Sequence, residues 1–239
     1  MWAINFSGTK NIIKAAIESG ATKVIFLSSV SIYNNYNCEI VDENVTPDPI
    51  SAYGISKLAA ETFISNYCQK NNIDYTIIRP TDVIGHKNKS FLNLIRIINK
   101  GYFFYLGDHK KVITNYVTLS YVCHCIIYFI ENTKKNDYII NEPVKLNEII
   151  VTISKTLKIN TPKYSIPKFF GFIFSFLCDI MQKTLKCNIP YNSEKYSELT
   201  NKTTFSNVRL LKDTGIKNRY PLINEIRDLT NHYIKNKFS

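Results

Sequence analysis

Arginine is scarce in this sequence, 5 residues against 25 Lys, and the net charge of +11 is spread along the chain rather than gathered into a patch. Nucleic-acid binders show clustered Arg and Lys beside exposed aromatics, or a recognisable module, so this charge does not signal nucleic acid. It suits instead the steering of an anionic substrate into a cleft. No C-x-x-C pair occurs among Cys38, Cys68, Cys123, Cys125, Cys178 and Cys187, and no secretory signal precedes them. Free thiols in a reducing cytoplasm are therefore expected. Cys123-His124-Cys125 is not read as a metal site, because consecutive side chains on a helix fan out about 100° apart and cannot all face one ion. No apolar run reaches the roughly 20 residues that a membrane-spanning helix needs. The longest, FFGFIFSFLCDIM from Phe169 to Met181, is interrupted by Asp179 and reads as a buried helix. Lys163, Lys168, Lys183 and Lys186 around it leave a peripheral contact with lipid headgroups as the alternative.

What is present is enough for a real core. With 239 residues and 45% apolar side chains, the chain can fold as one large or two small domains. Apolar residues recur at helical spacing over 7–19, ending at Gly20, a residue that tolerates the left-handed cap. Lys23–Ser28 (KVIFLS) and Tyr75–Ile78 (YTII) are short apolar runs suited to strands buried on both faces, the second stopped by Pro80. Between them, Ala52–Cys68 returns to helical periodicity, and this alternation predicts a parallel α/β sheet. Farther on, helices are expected at 91–99, 121–131, 146–157, 168–183 and 223–235, and strands at 102–106 and 138–140.

Tyr53-Gly54-Ile55-Ser56-Lys57 sets a phenol and an ammonium four residues apart, on one face of a helix about one turn from each other. A nearby cation favours the phenolate, which equips such a tyrosine to exchange a proton near neutral pH. Ser28-Ser29 closes the first strand, at the carboxyl edge of the expected sheet, where open α/β sheets bind ligands.

The run FLSSVSIY, then the loop VDENVTPDP, then SAYGISK and IIRPTDVIG resembles the extended short-chain dehydrogenases/reductases, the NAD-dependent epimerase/dehydratase family. Asn5-Phe6-Ser7-Gly8-Thr9-Lys10-Asn11 looks like that family's N-x-x-G-T-x-N helix start, and Asn115-Tyr116-Val117-Thr118 resembles a later strand of it. The stretch Thr203–Arg209 with Gly215 is similar to the substrate lobe of its sugar-modifying members. The resemblance implies a partial Rossmann-like, doubly wound parallel sheet over residues 1–141, with substrate-lobe insertions after residue 80, and a smaller substrate-binding lobe that takes most of 142–239. It implies a catalytic triad of Ser29, Tyr53 and Lys57. NAD or NADP would be held by Ser28, Tyr53, Lys57, Pro80 and Val83, with Asn5 organising the site, and substrate by Ser29, Ser31 and Asp82. No metal is implied; a nucleotide-sugar substrate and a homodimer are.

The family's opening strand, G-x-x-G-x-x-G turn and helix receive the cofactor pyrophosphate. The eight glycines, at 8, 20, 54, 85, 101, 107, 171 and 215, contain no such turn. An N-terminally truncated member is therefore expected, one that alone binds NAD(H) weakly. Members that eliminate water carry carboxylates directly after the hydroxyl residue. Val30 and Ser31 stand there instead, which resembles the 4-epimerases and 4-keto reductases. The Phe-rich stretch at 169–181 suggests a hydroxysteroid-type dehydrogenase as one alternative; a non-catalytic remnant or scaffold is the other.

Overall fold

The computed structural model describes residues 1–33, 39–107, 112–134, 136–185, 193, 196, 200 and 203–237. In chain order its helices are α1 (Thr9–Glu18), α2 (Ala52–Lys70), α3 (Lys89–Asn99), α4 (Leu119–Glu131), α5 (Leu146–Leu157), α6 (Lys168–Leu185), α7 (Val208–Thr214) and α8 (Leu222–Lys237). The strands are β1 (Lys23–Leu27), β2 (Ile40–Val41), β3 (Asp74–Pro80), β4 (Asp82–Ile84), β5 (Tyr105–Leu106), β6 (Ile113–Thr118), β7 (Asp137–Ile140), β8 (Glu142–Lys145), β9 (Ser165–Ile166) and β10 (Thr204–Phe205). A π-helical turn, Ala3–Gly8, leads into α1.

The two apolar runs expected to be buried strands form the middle of the fold. β1, β3 and β7 make a parallel sheet in the order β1-β3-β7, with Leu27 opposite Ile78 and Pro80 opposite Ile140. Successive side chains of a strand face opposite sides, and both sides here are apolar. Val24 packs with Ile13 of α1 and Ile64 and Cys68 of α2. On the other face Ile78, Tyr138 and Ile140 pack with Tyr121, Val122, Cys125 and Phe129 of α4 and Leu210 of α7. Helices on both faces of a parallel sheet are the doubly wound, Rossmann-like α/β arrangement that the sequence predicted. Cys125 is buried in this core while Cys123 is exposed, as expected for thiols two residues apart on a helix. Cys38 and Cys187 lie outside the described residues.

A buried charge cluster ties β3 to its surroundings. Arg79 donates to both carboxylate oxygens of Glu61 on α2, at 3.1 and 2.7 Å, to the Tyr33 hydroxyl at 2.6 Å, and to Asp137 of β7. Arg209 of α7 donates to the other oxygen of Asp137 at 2.9 Å and lies 3.6 Å from Glu43. Glu43 in turn accepts the Ile139 N–H at 2.8 Å. Burial pushes the Glu43 carboxyl above its usual range, against the Ile139 N–H and the Arg209 charge. Because the folded form holds this proton more tightly than the unfolded chain, the Glu43 contribution is fully present below the ordinary carboxylate pKa and is lost as pH rises through the elevated one. Glu43→Gln is accordingly expected to flatten the fall of stability with pH just above the ordinary carboxylate range. Urea midpoints taken across that interval check this.

The chain divides into two compact units: 1–83, 115–142 and 203–220 in the first, and 84–114, 143–202 and 221–239 in the second. Residues 84–114 of the second unit follow residue 80, and residues 203–220, within the 142–239 stretch, belong to the first. The reason is core packing: Phe205 of β10 joins Ile32, Val41 and Ile139 in one buried cluster, and β10 pairs with β2. In the second unit α5 packs against α3 and α8, and β5 pairs in parallel with β9.

The expected buried helix at 168–183 forms as α6, but its burial is the reverse of that expected. Gly171, Ser175 and Cys178 are buried, whereas Phe169, Phe170, Phe172, Phe174 and Phe176 are exposed. Spacings of four and three place the small residues in one stripe. Lys186 lies outside the described residues.

Candidate active site

The site is assembled at the carboxyl end of β1 and the start of α2, both in the first unit. β1 ends at Leu27, and Ser28 donates its N–H to the Ile78 carbonyl at 2.7 Å, extending the pairing with β3 by one residue. Ser29 then leaves the sheet. Its extended backbone caps a short turn, Val30–Ile32, and its Oγ accepts the Ser31 N–H at 3.1 Å. The two hydroxyls are joined as well, Ser29 Oγ donating to Ser31 Oγ at 3.0 Å. Ser51 opens α2 by accepting the Gly54 N–H at 3.0 Å, which satisfies a donor that the first turn of a helix leaves without an intrahelical partner.

Gly54 is where the two pieces meet. A Cβ built there would lie 2.2 Å from the Ser31 carbonyl oxygen and 2.9 Å from the Pro49 Cβ. The first turn of α2, which carries Tyr53, therefore rests directly on the turn that carries Ser29 and Ser31. Lys57, one turn along, donates from Nζ to the Leu27 carbonyl at 2.8 Å, and the same nitrogen lies 4.9 Å from the Phe26 ring centre and 5.8 Å from that of Tyr53. Burial lowers the proton affinity of the Lys57 amine; the Glu61 carboxylate one turn on works in the opposite direction. Asn5 reaches the same helix from the π-helical turn, donating to Ser56 Oγ at 3.2 Å, and Ser56 donates to the Tyr53 carbonyl at 2.7 Å.

The structure thus brings Asn5, Ser29, Ser31, Tyr53 and Lys57 into one set of contacts. Pro80 ends β3 beside them, and Thr81 continues the ladder by donating its N–H to the Ile140 carbonyl at 3.0 Å. Val83 turns its side chain into the core, so only its backbone could line a ligand. Asp82 is exposed at the start of β4. Sequence reasoning missed Gly54 as a site residue, although a glycine inside a helical Y-x-x-x-K segment was a visible signal of close approach.

Ser28 Oγ is buried, and no described residue accepts or donates to it. A buried hydroxyl without a partner costs free energy, and this one sits at the carboxyl edge of a parallel sheet, where ligands of such sheets bind. The orphaned hydroxyl and the half-buried Ser29/Ser31 hydroxyl pair fit the reacting, nicotinamide end of a dinucleotide site. A glycine cradle for its pyrophosphate is not found among these residues.

A sequence profile of the NAD dependent epimerase/dehydratase family matches residues 1–141. The chain belongs to this family. N-acetyl-alpha-D-glucosaminyl-diphospho-ditrans,octacis-undecaprenol 4-epimerase of Escherichia coli O157:H7 is 31% identical over 193 residues, 75% of this chain and 56% of that protein. UDP-glucose 4-epimerase of Vibrio cholerae is 25% identical over 206 residues, 80% of this chain and 62% of that one. The chain therefore spans less than two thirds of the length of either epimerase. The crystal structure of UDP-glucuronic acid 4-epimerase from Bacillus cereus in complex with NAD superposes with a TM-score of 0.71 at 18% identity, covering 98% of this chain and 68% of that one. At that identity the likeness confirms the epimerase/dehydratase fold alone. Among the described residues no helix is long and apolar enough to cross a membrane.

Proposed function

We propose that these residues form the proton-transfer half of the active site of an NAD(P)-dependent 4-epimerase acting on a sugar carried on a diphosphate, in the first instance a nucleotide sugar. The observation that carries this is the docking, through Gly54, of the Tyr53/Lys57 helix onto the Ser29/Ser31 turn. The relatives support the substrate class: one is named for UDP-glucose, the other for N-acetylglucosamine on undecaprenol diphosphate, and in both names the sugar is carried on a diphosphate. A 4-keto reductase would use the same residues, and for it too Val30 and Ser31 stand where a dehydratase would need carboxylates.

A bound nicotinamide cofactor would supply the acceptor and donor of hydride. The chain's own residues handle the oxygen and the proton. Tyr53 takes the proton of the sugar 4-hydroxyl and later returns it. Lys57 stands one turn along the same helix, its Nζ 5.8 Å from the centre of the Tyr53 ring. Ser29, held by Ser31, presents a fixed hydroxyl to the reacting oxygen. Lys57 and the backbone at Pro80–Val83 would also hold the nicotinamide ribose and ring, with Ser28 beside them.

The test is Tyr53→Phe in the polypeptide that carries these residues in the cell, assayed for inversion at carbon 4 of UDP-glucose and UDP-N-acetylglucosamine. Loss of a positioned acid–base group is expected to lower kcat about 10²- to 10⁴-fold while KM changes little. Unchanged turnover would remove Tyr53 from the chemistry. The homodimer implied by the resemblance is read from light scattering on the same preparation.

A further inference from the structure

α6 has its apolar side turned outward. Its buried stripe is Gly171, Ser175 and Cys178, two small residues and a thiol at spacings of four and three. At 3.6 residues per turn the opposite ridge is Phe169, Ile173, Phe176 and Ile180, which are 68%, 40%, 57% and 43% exposed. Phe170, Phe172, Leu177 and Met181 widen the ridge and are also exposed. A continuous face of this kind exceeds the scattered apolar residues that ordinary protein surfaces carry.

We propose that this face seats the second unit on an anionic phospholipid surface, with α6 lying in the plane of the interface. Three observations select lipid over a protein partner. From Phe169 to Met181 the only charged side chain is Asp179, which is half-buried and accepts from Ser193, so the outward ridge offers hydrocarbon and no hydrogen-bonding group. Protein interfaces are furnished differently, with about one hydrogen bond per 100–200 Å². The charge is also complementary. Lys163 and Lys168 are exposed at the entry to α6, and the protein carries a net +11, so long basic side chains can reach headgroups while their stems stay in the apolar layer. Finally, Tyr164, 83% exposed, directly precedes β9 and α6, at the level where amphipathic aromatic rings line a membrane interface. A helix of 18 residues is about 27 Å long, ample for an interfacial segment.

This proposal is independent of the chemistry assigned to the first unit, because vesicle binding requires no turnover. In flotation with vesicles of phosphatidylglycerol and phosphatidylcholine, the full chain is expected to bind at least tenfold more tightly than to pure phosphatidylcholine. The preference should shrink several-fold at 1 M salt, where the Debye length is only about 3 Å. The double variant Phe169→Ser, Phe176→Ser should lose binding at least tenfold with an unchanged melting curve, since both side chains lie opposite the packed stripe. A direct readout is Phe176→Trp in a Trp2→Phe background: lipids brominated just below the headgroup should quench its fluorescence. Absence of quenching, or a folded double variant that binds as well as the parent, overturns the proposal. So does a dimer that the double variant dissolves while no vesicle binding is seen.

Discussion

Arg79→Leu is expected to destabilise the first unit by about 3–5 kcal/mol, the cost of leaving a buried charge without its partner. Arg79 is 6% exposed and Glu61 3% exposed, and the guanidinium meets both Glu61 oxygens in a two-pronged pair, the strong geometry for this kind of bond. The loss falls unevenly on its partners. Asp137 keeps Arg209 at 2.9 Å, whereas no other described residue pairs with the Glu61 side chain. The double variant Arg79→Leu, Glu61→Leu should therefore recover most of the loss, because replacing a whole buried pair with apolar groups is often close to neutral. Urea unfolding of the parent, both single variants and the double variant gives the coupling directly. A single-variant loss under about 1 kcal/mol, the range of exposed ion pairs, would show that water reaches the cluster.

The same residues explain what could and could not be read from the sequence. KVIFLS and YTII were legible as strands because two packed faces demand an unbroken apolar run, and Val24, Ile25 and Ile78 meet that demand with core on opposite sides. Tyr53 and Lys57 were legible because a helix fixes the relation of residues four apart. The Arg79 cluster was not, since its members stand at 33, 61, 79, 137 and 209 and only the folded sheet gathers them. A lone Arg in an apolar strand announced that a partner was needed without saying which. Two-residue strands such as β2 and β10 carry no period at all, and their pairing returns 203–220 to the first unit. α6 misled for a related reason: periodicity reports which side of a helix is apolar, not which side faces the core, and Gly171 and Ser175 were the clue that close packing occurs on the other side.

Gly54→Ala should also be costly, and its sign is what makes the result decisive. In an ordinary helix interior this change stabilises by about 0.5–1 kcal/mol, because it restricts the unfolded chain. Gly54 has a helical backbone with no left-handed φ, so conformation alone would predict that gain. Contact predicts the reverse, since the added methyl would stand 2.2 Å from the Ser31 carbonyl oxygen, well inside the 3.0 Å that real Cβ contacts essentially never undercut. The helix start and the Ser29–Ser31 turn must part, at a cost of about 1–3 kcal/mol for overpacking. Parting them also moves Tyr53 relative to Ser29, and a misplacement of about 1 Å at reacting groups can cost on the order of 10²-fold in rate. Three results are expected together: a lower melting temperature, faster amide exchange at Ser31 and Gly54, and turnover that falls by much more than stability alone would explain. A stabilised Gly54→Ala variant would mean that α2 does not rest on that turn, and the active-site assignment built on their contact would fall with it.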